Sequence, residues 1–183
     1  LQSAGFPELK FFELPDFPNT FSVKNHDVNN DENAMEIKYG HTNIITKDWK
    51  KLAHFYELVF NCKPVPPERN QKGSWLEKGT GVPNAHLQGM HLRLPGYGEN
   101  GPTLEIYQYS EVIDSEKMVS NKKGFGHIAF QVDNITELLA LALKNGATEI
   151  GELSEHHVEN VGLLKFIYIA DPDGNIIELQ NWS

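Results

Sequence analysis

Two stretches of this chain set a histidine and a glutamate in matching places. Gly40-His41 opens the run Gly40-His41-Thr42-Asn43-Ile44-Ile45, and Gly126-His127 opens Gly126-His127-Ile128-Ala129-Phe130-Gln131-Val132. Each run is followed downstream by a glutamate between apolar neighbours, Leu104-Glu105-Ile106 in one case and Ile177-Glu178-Leu179 in the other. A carboxylate at such a mid-strand position is costly to bury unless something neutralises it. Seen twice, each time with a histidine at the corresponding place, the arrangement is most economically explained by a shared metal ion. Two neutral imidazoles and two carboxylates balance a divalent cation, and mixed nitrogen and oxygen ligation suits Zn, Ni, Co, Mn or Fe(II). A single strand histidine is ordinarily a hydrogen-bonded core residue; the quartet His41, Glu105, His127 and Glu178 is what points to metal.

The elements that must position these residues recur in one order. Residues 36–45 read as a strand, Thr46-Lys47-Asp48 supplies helix-start chemistry, and Trp49, Leu52, Ala53, Tyr56, Val59 and Phe60 fall on one helical face. Asn61 and the Pro64-Val65-Pro66-Pro67 cluster end that helix. Strands are expected near 73–78 and 85–94, and again from Thr103 to Tyr109. The second half repeats the order. Residues 126–132 read as a strand, Asn134 with Glu137 resembles a capping box, Ile135 to Leu143 continues as a helix, and Asn145-Gly146 caps it. Short strands near 148–153 and 163–170, the turn Asp171-Pro172-Asp173-Gly174-Asn175, and a last strand from Ile176 to Trp182 complete it. The chain therefore reads as a duplicated β-α-β-β-β unit, with modules at 35–112 and 122–183. Residues 1–34, rich in Pro and Asn, read either as a genuine N-terminal arm or as a segment appended before Met35. Strand alternation puts His41, Asn43, Glu105 and Tyr107 opposite the helix-facing side chains of the first module, and His127, Glu178 and Gln180 opposite those of the second.

The two repeated units, the paired Gly-His openings, the Asp171-Pro172-Asp173-Gly174-Asn175 turn into Ile177-Glu178-Leu179, and Leu104-Glu105-Ile106 together resemble the vicinal oxygen chelate superfamily. That group holds glyoxalase I, methylmalonyl-CoA epimerase, extradiol dioxygenases, and the bleomycin and fosfomycin resistance proteins. The resemblance covers about residues 36 to 183. It implies an α+β fold in which two tandem β-α-β-β-β modules form a U-shaped mixed sheet around a metal, with His41, Glu105, His127 and Glu178 as ligands. Four protein ligands on a six-coordinate ion leave two adjacent positions for neighbouring substrate oxygens, whereas an extradiol dioxygenase uses two histidines and one carboxylate. The set thus resembles the glyoxalase I type, in which the metal is a Lewis acid on an enediolate and a glutamate moves the proton. The resemblance implies Glu178 as ligand and base, with Glu105 able to take the mirrored role. The alternatives are an Fe(II) extradiol-type dioxygenase, in which one glutamate would not bind metal, and a non-catalytic small-molecule-binding protein of the bleomycin-resistance kind. Dimers are common in this superfamily, so a homodimer is possible.

His91, Arg93, Tyr107 and Tyr168 are the candidates for substrate contact. Glyoxalase I recognises glutathione largely through cationic side chains, and this chain has only Arg69 and Arg93 as arginines, which disfavours glutathione. Its 183 residues carry 16 Lys+Arg against 25 Asp+Glu, a net charge of −9 that argues against a nucleic-acid partner. No long apolar window or leader is seen, so a membrane partner is not expected, and a lone Cys62 accords with the cytoplasm. Gly96-Tyr97-Gly98-Glu99-Asn100-Gly101 spells a dinucleotide fingerprint, but Pro102 and a strand follow rather than a helix, so it reads as a hairpin loop. His156-His157 falls in a polar connection from Ser154 to Asn160, and His54 on the exposed side of the first helix.

Overall fold

Strand β1 (His41–Ile45) ends and helix α1 (Trp49–Phe60) begins at the Thr46-Lys47-Asp48 step, where the Asp48 carboxylate accepts the Lys51 amide at 3.1 Å. This satisfies one of the amides that a helix start leaves open. Asn61, at φ 54°, closes the other end. This computed structural model describes residues 36–114 and 117–183, of which those from Lys38 onward form one compact unit. The arm expected over residues 1–34 lies outside the described residues.

The first module continues with β2 (Lys63–Lys72), α2 (Ser74–Thr80), β3 (His86–Arg93) and β4 (Thr103–Tyr109), in the sheet order β1-β4-β3-β2. The second runs β5 (Ile128–Gln131), α3 (Ile135–Lys144), β6 (Thr148–Glu149), β7 (Ser154–Val158), β8 (Gly162–Ala170) and β9 (Ile176–Trp182). Its order is β5-β9-β8-β6, with β7 also paired to β8. Each sheet is mixed: β1 runs parallel to β4 and β5 parallel to β9, while the other pairings are antiparallel. The two sheets share a pairing pattern in which β1, β3 and β4 answer to β5, β8 and β9, while the single β2 of the first stands against the shorter β6 and β7 of the second.

Three local expectations are corrected. Residues 73–78, expected as a strand, lie at the start of helix α2, since Gly73 turns the chain at φ 110° and a single apolar residue, Leu76, is buried rather than an alternating set. The strand before it is β2, which runs through the Pro64 to Pro67 cluster; β2 is the outermost strand of its sheet, where a missing amide need not break the ladder. Ser154 to Asn160 is not a free connection either, because Ser154–Val158 pairs with β8, and the strand placed near 148–153 is confined to Thr148–Glu149. The loop reading of 96–101 is borne out, since this segment joins antiparallel β3 and β4.

Apolar faces of both modules meet in one core. Leu52, Tyr56 and Val59 from α1, Ile135 and Ala142 from α3, Leu104 and Ile106 from β4, and Ile177 and Leu179 from β9 all belong to it. Burying one large side chain of this kind contributes roughly 1.5–3 kcal/mol. Phe60 and Phe130 stack with centroids 4.1 Å apart, joining the end of α1 to β5.

A polar bond inside this apolar setting fixes the turn before β9. Asp171, 3% exposed, accepts the Tyr56 hydroxyl at 3.0 Å, and the amides of Asp173 and Asn175 and the Asn175 side chain at 2.9 Å each. Thr46, at the end of β1, donates to Asp173 of the same turn. Burial holds the Asp171 carboxyl above its ordinary 3.8, with the hydrogen bonds from Asn175, Tyr56 and Asp173 opposing the shift. Ionisation of this group therefore opposes folding: its contribution is fully present below about pH 4 and is lost as pH rises through the raised value. Asp171→Ala, which strands several buried donors, should lower stability by about 3 kcal/mol in urea unfolding. As pH rises from about 3.8 through the raised value, wild type should lose stability relative to Asp171→Asn in urea unfolding, and a constant difference would show that desolvation does not govern this carboxyl.

Candidate active site

The face of the first sheet turned away from α1 is a small lattice, because cross-strand partners share a face. One row is Lys63, Arg93, Thr103 and His41; the next is Val65, His91, Glu105 and Asn43; the third is Arg69, Gly89, Tyr107 and Ile45. Glu105 sits at its centre and is 8% exposed. Its Oε1 lies 3.4 Å from His41 Nδ1 and 3.1 Å from His91 Nε2, and that His91 nitrogen is 2.6 Å from the Tyr107 hydroxyl. Burial depresses the His91 pKa below its ordinary 6.5; Glu105 pulls it back up, while Arg69, His41 and Arg93 push it down. The imidazole is accordingly neutral at pH 7. Tyr107 is pushed up to about 12 by burial and by Glu105, against a hydrogen bond from Arg69, and so remains a neutral donor.

The second sheet repeats the centre with different surroundings. His127 Nε2 lies 2.9 Å from Glu178 Oε2, and the His127 and Tyr168 rings are 4.8 Å apart. Tyr168 pairs with Glu178 as His91 pairs with Glu105. Phe166 stands where the first module has Gly89, and Ala170 where it has Arg93. Burial and Glu178 both raise the Tyr168 pKa. One module thus surrounds its carboxylate with nitrogen donors, the other with aromatic carbon.

The structure brings the expected ligands together as two pairs, His41 with Glu105 and His127 with Glu178. A cavity of about 710 Å³ borders both histidines, with Asn43, Ile45, Phe125 and Ile176 also in its walls. Among the described residues, no group of three His, Cys, Asp or Glu side chains is arranged to hold a cation, so the four expected ligands are not gathered round one point. In kind the donors fit a divalent ion, since each carboxylate is nearly enclosed and has imidazole, not Lys or Arg, as its ion-pair partner. Of the expected substrate contacts, His91 and Tyr107 join the Glu105 cluster and Tyr168 flanks His127, while Arg93 donates to the Gly101 carbonyl. Arg69 belongs to this face as well. Sequence reasoning missed it because the proline-rich stretch that forms β2 was not expected to be a strand. Cys62 is buried, with its thiol pushed up to about 12 by burial, which makes it a poor nucleophile.

Gly89 is what lets Arg69 and Tyr107 meet across β3. A Cβ there would lie 2.1 Å from the Ile106 carbonyl oxygen and 2.2 Å from the Tyr107 ring, and the backbone atom cannot rotate away. Gly89→Ala should cost about 1–3 kcal/mol in denaturant unfolding and alter the near-ultraviolet dichroism of tyrosine as Tyr107 leaves His91. An unchanged midpoint with a wild-type spectrum would contradict this packing.

Known proteins resemble this chain in sequence and in fold. Residues 38–179 match the family model described as Glyoxalase/Bleomycin resistance protein/Dioxygenase superfamily. A lactoylglutathione lyase of Schizosaccharomyces pombe is 28% identical over 156 residues, covering 80% of this chain and 48% of that protein, so the chain spans about half the length of this relative. A glyoxalase family protein from Bacillus cereus superposes with TM-score 0.70 at 19% identity, covering 82% of this chain and 97% of that one. A fosfomycin resistance protein from Listeria monocytogenes superposes with TM-score 0.52 at 18% identity, covering 81% and 94%. At such identities the structural likeness is one of fold, but the family match takes in both His–Glu pairs, and the chain belongs to the glyoxalase/bleomycin resistance protein/dioxygenase superfamily.

Proposed function

We propose that this chain is a metal-dependent lyase or isomerase of the glyoxalase type, acting on a small substrate with two vicinal oxygens. The observation that carries the reading is the repeated pair: an imidazole within 3.4 Å of a nearly enclosed carboxylate in one module and within 2.9 Å in the other. In this reading His41, Glu105, His127 and Glu178 hold a divalent ion. When bound, the ion supplies Lewis-acid polarisation of the two substrate oxygens.

The remaining work falls to side chains. Among the described residues Glu178 has one ion-pair partner, His127, whereas Glu105 is shared by His41 and His91. The less engaged carboxylate is the better placed to take a proton from the carbon beside a carbonyl and return it to the neighbouring carbon. Glu105, held from two sides, anchors; Tyr107 and His91 orient a substrate oxygen by hydrogen bonding; Tyr168 and Phe166 exclude water around Glu178. A cytoplasmic location and a homodimer accompany this proposal, and among the described residues no helix is long and apolar enough to cross a membrane.

The test joins elemental analysis with turnover. After reconstitution with Zn, Ni, Co, Mn or Fe(II), wild type should hold stoichiometric metal and isomerise adducts of methylglyoxal with small thiols. Glu178→Gln should lose about 10²–10⁴-fold in kcat. His127→Ala should lose the metal. A wild type that binds none of these ions would leave a non-catalytic binding protein as the reading, and oxygen uptake with catechols would make it a dioxygenase.

A further inference from the structure

The chain has two arginines, and the fold brings both to the face around Glu105. Arg69 and Arg93 occupy the outer rows of the lattice whose middle row holds His91 and Glu105. Both are half-buried, and among the described residues neither has a carboxylate within ion-pair distance. Arg93 donates to the Gly101 carbonyl, and Arg69 donates to the Pro67 carbonyl. A guanidinium carries five donors, so both forks are oriented by one side and keep donors to spare. The corresponding face of the second module has no counterpart, since Ala170 stands at the position of Arg93 and Ser154, the partner of Phe166, at that of Arg69. In a chain of net charge −9 such a one-sided pair is a local exception.

We propose that Arg69 and Arg93 form an oxyanion subsite beside His91 and Tyr107, so that the substrate of the reaction proposed above carries a carboxylate or phosphoryl-type group seated on the first module. The planar fork of arginine matches either group with two parallel hydrogen bonds, which a lysine at the same place cannot do. The neutral Tyr107 hydroxyl adds a further donor from the same row. This inference rests on that reading only in taking the Glu105 face as the substrate-bearing one.

The experiment is calorimetric titration of metal-stripped full-length protein at low ionic strength with malonate, with inorganic phosphate, and with uncharged malonamide. Malonate alone binding would assign a carboxylate, phosphate alone a phosphoryl group, and both an unselective oxyanion subsite; malonamide should not bind. Arg69→Met and Arg93→Met should each weaken the anion by about tenfold or more, the loss expected for a charge-assisted bond. Lys47→Met, at an exposed cation paired with Asp114, should stay within about twofold of wild type, as a change of net charge alone would leave it. Arg69→Lys, checked by far-ultraviolet dichroism for folding, should keep the charge and lose most of the affinity. Wild-type affinity in both methionine variants, equal binding of malonamide, or no binding of either anion would overturn the subsite. Because no metal or turnover enters the measurement, its failure leaves the lyase reading with an uncharged substrate, and failure of the lyase reading leaves the anion data standing.

Discussion

The buried Asp171 carboxylate is the constraint on which the rest of this fold leans. It binds the turn before β9 to itself through two backbone amides and the Asn175 side chain, and to α1 through Tyr56. Thr46 adds a tie from the end of β1 to Asp173. These bonds cross from the first module to the second, so the start of β9 is set by groups far away in sequence. Glu178 lies on that strand, and its height relative to His127 follows from where the strand begins. A buried acceptor with four donors around it tolerates little displacement, since each donor left unpaired costs about 1–3 kcal/mol. The apolar core supplies most of the cohesion, and the carboxylate supplies the alignment.

Duplication gives two similar frames, and the side chains make them unequal. The same lattice position is His91 in one and Tyr168 in the other, Gly89 in one and Phe166 in the other, Arg93 in one and Ala170 in the other. Charge and hydrogen-bonding capacity collect around Glu105, and aromatic surface collects around Glu178. The two carboxylates are therefore equivalent in topology and distinct in chemistry, which is the condition for one to anchor while the other moves a proton.

Much of this was legible in the sequence because it depends on local patterns. The period-two faces placed His41, Glu105, His127 and Glu178 on one side of their strands, and the helix periodicity and caps placed α1 and α3. What escaped were features without a local signature. Strand β2 passes through three prolines, tolerated because it is an edge, and because those prolines hide the strand, the place of Arg69 on it was hidden too. The value of Gly89 lies in Tyr107, its neighbour on the other strand of the hairpin, and no window around it reveals the clash it avoids. Helix α2 buries a single leucine, too little periodicity to distinguish it from a strand. The scarcity of arginine was visible, but its concentration on one face required the register.

Strands β1 and β5 are each paired on one side only. Five consecutive residues of β1, from His41 to Ile45, border the 710 Å³ cavity, so the cavity runs along the strand's open edge and not over one of its faces. Such a wall is made of main-chain amides and carbonyls, which are the same whatever side chains the strand carries. Side chains on either face of β1 can then change without removing those main-chain groups from the wall.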